Sequence, residues 1–97
     1  LGGGAQSTLW RQIVCDVLGM TLEKPVHADA SFGAALIAGI GVGAFDSAEE
    51  AVEHCVKIAD THQPNADNHR IYTELFEIYK EAQAALTPLN HRLSKFQ

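Results

Sequence analysis

Positive charge is scarce in this chain: 7 Lys and Arg stand against 12 Asp and Glu, for a net charge of -5. A surface that neutralises nucleic-acid phosphates or anionic headgroups needs clustered basic residues, so neither nucleic acid nor membrane is an expected partner. Long apolar runs are missing as well. The longest uncharged stretch, Ala30 to Phe45, falls short of the roughly 20 apolar residues that span a bilayer. No charged segment followed by an apolar core opens the sequence, so no secretory signal is visible and a cytoplasmic protein is expected. Only Cys15 and Cys55 are present, which excludes a disulfide-rich scaffold and paired-cysteine zinc sites; both are expected as core thiols in a reducing compartment. The five histidines, His27, His54, His62, His69 and His91, are scattered, so no metal ligand is expected among them.

A chain of 97 residues is one small domain or part of a larger one, and it buries only roughly 60–65% of its unfolded surface. It begins at Leu1 without Met, and a cloned or cleaved piece of a longer protein is expected. Four helical patterns follow. The first opens at Ser7 or Thr8, carries a stripe of Leu9, Trp10, Ile13, Val14, Val17 and Leu18, and stops at Gly19. Met20 to Val26 lacks helical period and ends near Pro25, which reads as one short edge strand. Asp29 or Ser31 starts a second helix, Phe32 to about Val42, whose small residues on nearly every side predict close burial. Ser47 and Glu50 form a capping-box pattern ahead of Ala48, Ala51, Val52, Cys55, Val56 and Ala59. After a loop at His62–Asn65, Asp67 is the expected cap of a fourth helix. Its buried face reads Ile71, Tyr72, Leu75, Phe76, Tyr79, Ala82 and Leu86, and Pro88 should end or kink it. A lone strand needs a sheet partner, and that argues for part of an α/β domain over a helical bundle.

The segment with chemical content is Gly2-Gly3-Gly4-Ala5-Gln6-Ser7-Thr8-Leu9-Trp10-Arg11-Gln12. Consecutive glycines adopt backbone conformations closed to other residues and let a ligand touch the main chain. The helix that follows presents free amides and the positive end of its dipole, an arrangement suited to anions. No Lys follows the glycines, so this is not a Walker loop. Composition alone leaves a nucleotide-binding loop and a flexible linker equally open.

The run Gly-Gly-Gly-Ala-x-Ser-x-x-Trp-x-Gln, followed by Asp16 and Gly19, resembles the adenosine-contacting motif of the FGGY carbohydrate kinases. Ser31 to Gly39 resembles that family's Gly-Ala-Ala-rich helix, and Gly43 to Ala51 its short turn and capped helix. The ending around Tyr72, Tyr79, Leu86 and Leu89 is similar to the tail of xylulokinase-type members. The resemblance implies that residues 1–97 are the C-terminal part of an actin-like ATPase (ribonuclease H-like) domain, mostly helical with about four helices and one short strand. It implies an ATP-dependent kinase that phosphorylates a pentulose such as D-xylulose, with ribulose, glycerol, fuculose or erythritol as alternatives. Magnesium would be held through the ATP phosphates. The catalytic base and the sugar pocket would lie upstream, so no catalytic residue is expected here.

By the same resemblance, Gly3 and Gly4 run under the nucleotide near its ribose and α-phosphate, Gly2 shapes the turn, and Ser7 reaches the adenine edge. Trp10 and Gln12 are expected to pack, Arg11 to lie exposed on the helix surface, and Asp16 to be solvated or locally bonded. Hydrophobic surface on the second and fourth helices should be left open, so a homo-oligomer is expected of the chain alone. Two other classes stand beside the kinase: a helical interaction module that binds no nucleotide, and a sugar-responsive regulator derived from a kinase.

Overall fold

The computed structural model describes residues 2–97; Leu1 lies outside the described residues. A 3-10 turn, Gly3–Gln6, leads into α1 (Thr8–Leu18), then β1 (Leu22–Pro25), α2 (Ala30–Gly41), α3 (Ala48–Cys55), β2 (Ile58–His62) and α4 (Ala66–Leu93), with a final 3-10 turn at Ser94–Phe96. The two strands pair antiparallel, with Leu22 opposite His62, Glu23 opposite Thr61 and Lys24 opposite Asp60. The register shifts between Lys24 and Pro25. Proline has no amide to give the ladder, and an irregularity at that position accommodates it.

Local chemistry sets most helix ends. Ser7 Oγ accepts from the Trp10 amide at 3.2 Å, and Asp29 does the same for Phe32 at 2.9 Å. Ser47 Oγ accepts from the Glu50 amide at 3.1 Å, while the Glu50 carboxylate reaches back to the Asp46 amide at 2.6 Å. The bonds to the Trp10, Phe32 and Glu50 amides satisfy first-turn donors that have no partner inside the helix, and the Glu50–Asp46 bond closes the capping box from the other side, at the amide before the cap. Gly19 closes α1 at φ 65°, and a β-carbon there would meet the His69 ring at 2.7 Å. Glycine is therefore required twice at this position.

Several expectations are corrected. There are two strands among the described residues, not one, because α3 stops at Cys55 and Val56 turns extended. The stripe that continued to Ala59 belongs to a strand: pairing with β1 outweighs helical periodicity over residues 58–62. The cap of α4 is Asn65, whose Oδ1 accepts from the Asn68 amide at 3.0 Å; Asp67 sits in the first turn. His62 ends β2 and is not in the loop. The fourth helix also runs through Pro88 to Leu93. The bond that Pro88 cannot make leaves free a carbonyl on Ala84, an exposed residue, where its cost is small.

The apolar stripes are for the most part not buried among the described residues, and the open hydrophobic surface expected on the second and fourth helices is present. On α1 the buried residues are Arg11, Cys15 and Asp16, while Leu9, Trp10, Val17 and Leu18 are exposed. On α2, Ile37 is open, and on α4 so are Ile71, Leu75, Phe76, Tyr79, Leu86, Leu89 and Leu93. Among the described residues the fully buried apolar side chains are Cys15 and Ala51. The radius of gyration, 19.5 Å, exceeds the roughly 13 Å of a compact domain this long. The accessible surface, 7482 Å², exceeds by about 2,000 Å² what a folded monomer of this mass presents.

Candidate functional site: a glycine turn tied to a buried polar junction

Gly2 enters the turn at φ 73°, in the left-handed region that glycine tolerates. The Ala5 amide donates to Gly2 O at 3.2 Å and the Ser7 amide to Gly4 O at 3.1 Å. The turn separates two grooves. One, about 500 Å³, is lined by Gly2, Gly3 and Gln6 on one side and residues 26–30 on the other. The second, about 300 Å³, runs past Gly4, Ala5, Trp10 and Arg11 towards residues 22–24 of β1. The larger is of the size small-molecule sites commonly have.

The three glycines are not equivalent. A β-carbon on Gly3 would meet nothing within 4 Å, whereas one on Gly4 would sit 3.3 Å from the Trp10 indole. A side chain at Gly4 would crowd the Trp10 indole, while Gly3 borders open space. Ser7 spends an oxygen lone pair on capping α1; the hydroxyl hydrogen is not used by that bond and can donate outward. The Asp29 carboxylate, on the far wall of the larger groove, accepts from the Ser31 hydroxyl and the Phe32 amide. These bonds, the Ser31 hydroxyl first, hold its pKa below the usual carboxylate range. The wall therefore presents a fixed negative charge opposite the glycines.

Behind the turn lies the best-connected part of the chain. Arg11 is buried, not exposed as its sequence context suggested. Its Nη1 donates to Ala5 O at 2.8 Å, its Nη2 to Asp60 Oδ2 at 2.9 Å, and its Nε to His62 Nε2 at 3.1 Å. A guanidinium only donates, so His62 Nε2 is the acceptor and the ring proton sits on Nδ1, which faces Gln12 Oε1 at 3.1 Å. Asp60 Oδ2 also lies 3.3 Å from His62 Nε2, and Arg11 donates to both. That bond from Arg11 is the main cause of the lowered pKa of Asp60.

The network continues along α1. Gln12 Nε2 donates to Asp16 Oδ1 at 2.8 Å and to Gln63 O at 2.9 Å. Asp16 also accepts from the Asn65 amide at 2.8 Å and from Asn68 Nδ2 at 3.0 Å. It is neither solvated nor only locally bonded: it clamps the start of α4 to α1. The Asn65 amide, then Asn68, holds its pKa below the ordinary range against the opposing effect of burial. His69 completes the seam by donating from Nδ1 to the Asp16 and Val17 carbonyls at 2.9 and 3.2 Å, at the negative end of α1. Every buried side-chain polar atom among the described residues has a partner.

Two signals for this junction stand in the sequence. Asp60 and His62 are two apart and share one face of a strand, and Gln12 and Asp16 are four apart on one face of a helix. The first is readable only once residues 58–62 are read as a strand.

No family model matches the chain. It is similar to the xylulose kinase of Staphylococcus epidermidis, 33% identical over 81 residues that cover 82% of this chain and 16% of that protein. It is also similar to the autoinducer-2 kinase of Salmonella typhimurium, 38% identical over 88 residues, covering 86% of this chain and 17% of that protein. The autoinducer-2 kinase of Escherichia coli O139:H28 is 39% identical over 74 residues, with 75% and 14% covered. The chain thus spans about one-sixth of the length of the curated relatives it matches. Its homologues are kinases, which supports the kinase-family resemblance carried by the glycine-rich motif.

Proposed function

We propose that this chain is the nucleotide-binding part of an ATP-dependent carbohydrate kinase of the FGGY type. The observation that carries the reading is the Gly2–Gly4 turn, opening on a groove at the head of α1, inside a stretch similar to kinases. In this reading the nucleotide lies across the turn in the larger groove. Gly3 passes beneath the ribose and α-phosphate, where the absence of a side chain leaves room. Gly4 shapes the turn against Trp10, and the Ser7 hydroxyl reaches the adenine edge. The Asp29 carboxylate repels phosphate and accepts from hydroxyl groups, which orients the phosphates away from that wall.

ATP supplies the phosphoryl group, and magnesium travels on its phosphates; no residue of this chain is assigned to the metal. The chain's own contribution is positioning, which in phosphoryl transfer supplies much of the catalysis together with charge stabilisation. The acceptor itself supplies the attacking hydroxyl; the general base and the acceptor pocket are assigned to residues beyond residues 1–97. The open faces of α2 and α4 fit a role within a longer cytoplasmic protein, and taken alone the chain is expected to self-associate through them.

D-Xylulose is the favoured acceptor, by the similarity to xylulose kinase and the ending of α4. The higher identity to the autoinducer-2 kinases favours a second reading, in which the acceptor is the compound those enzymes are named for. A coupled ATP-consumption assay on the full-length protein tests both, with D-xylulose, autoinducer-2, ribulose, glycerol and no acceptor in parallel. Turnover with D-xylulose alone supports the first reading and turnover with autoinducer-2 the second. No turnover with any acceptor sinks the kinase reading.

A further inference from the structure

We propose that Arg11 is a positioning residue that sets the glycine turn, through the Ala5 carbonyl, at a fixed place relative to β2; this rests on the nucleotide-binding reading above. The turn is held locally by its own 3-10 bonding, with backbone bonds from Ala5 to Gly2 and from Ser7 to Gly4 at its two ends. Both lie within the turn or at its junction with α1, so neither fixes where it sits against the strands. Among the described residues no backbone amide reaches Ala5 O; its partner is Arg11 Nη1 at 2.8 Å.

The other arms of the guanidinium reach β2, at Asp60 and His62, and Nη2 also makes a longer bond to Thr8 Oγ1 at 3.4 Å. One planar group thus bridges the loop that would carry the nucleotide and a strand 49 to 51 residues away in sequence. The fork geometry matters: guanidinium offers donors in several fixed directions, whereas an ammonium is a point donor. His62 holds the fork in turn, because its Nε2 accepts from Arg11 and its Nδ1 is fixed by Gln12. Gln12 leads on to Asp16 and the head of α4. The turn is therefore referenced to three elements through one side chain.

The test uses the full-length protein that carries this chain. Arg11→Met should raise KM for ATP about tenfold or more, the effect of losing a hydrogen bond to a charged group. KM for the acceptor should stay put and kcat should move by less than about threefold. Arg11→Lys should fall between, since its ammonium reaches either Ala5 O or Asp60 but not both. A second pair guards against misfolding. His62→Gln, whose carboxamide accepts from Arg11 and donates to Gln12, should keep KM for ATP, whereas His62→Leu, which does neither, should raise it. Amide exchange over residues 3–7 should quicken in Arg11→Met and His62→Leu whether or not ATP binds.

An unchanged KM in folded Arg11→Met, or equal KM in the two His62 variants, overturns the proposal. Should the wild type not bind ATP, the nucleotide reading fails by itself. Amide exchange then decides the positioning role: faster exchange upholds it, and unchanged exchange rejects it.

Discussion

The junction of α1, β2 and the head of α4 is polar and closed, while the faces of α2 and the body of α4 are apolar and open. This inverts the usual arrangement, in which burial follows hydrophobicity. At the junction Arg11, Asp16 and His62 are withdrawn from water and fully partnered. Along α4, Tyr79, Leu86, Leu89 and Leu93 are exposed, with no element covering them among the described residues. Buried polar networks of this kind fix geometry more than they add stability, because the hydrogen bonds made are offset by those lost to water. The open faces hold the unspent hydrophobic free energy. Geometry is thus determined in one region, while in the other the burial that would stabilise it has not taken place.

The largest effect should come from breaking the closed region. Asp16→Leu keeps the branched shape but strips partners from the Asn65 amide, Asn68 and Gln12, and the head of α4 should detach from α1. Exchange protection at residues 65–69 would then be lost, and survival of that protection would show that the clamp is dispensable. Gly19→Ala comes next. It strains a left-handed position and drives a β-carbon into His69, at a cost of about 2–3 kcal/mol by chemical denaturation.

Ser47→Ala, away from both regions, removes the cap of α3 and should cost about 1 kcal/mol. The pH dependence sharpens the comparison further. Asp16 has its folded pKa below its unfolded one, so its contribution is present above about pH 4 and is lost as pH falls through the folded value. Urea midpoints measured downward from pH 5 should drop, and less so in Asp16→Asn. The smallest effect on chain stability should follow Leu86→Gln on the open face, within about 0.5 kcal/mol. The same substitution should reduce self-association of the isolated chain by sedimentation. A large loss of stability with no change in association would mean that this face is already used within one chain.

What could be read from the sequence was what is encoded locally. Ser7, Asp29, Ser47 and Gly19 act on residues within four positions, so their roles at helix ends were visible in composition and spacing. The second strand was not, because Val56 and Ala59 continue the helical stripe of α3 and only pairing with Leu22–Pro25 draws residues 58–62 into a ladder. Arg11 and Asp16 were misjudged for the same reason: their partners lie about 50 residues on, and one sequence gives no sign of that meeting. The glycine turn was legible as a motif. The difference between Gly3, which borders space, and Gly4, which meets Trp10, required coordinates.

Cys15 gives the junction a natural clock. Its thiol is fully enclosed and donates to the Met20 and His62 carbonyls at 3.0 and 3.3 Å, whereas Cys55 is only half-buried. Alkylation requires an accessible thiolate, so a reagent reaches Cys15 only while α1 and β2 are parted. The ratio of labelling rates at the two cysteines then counts how often that seam breathes, in the native sequence and without any introduced probe.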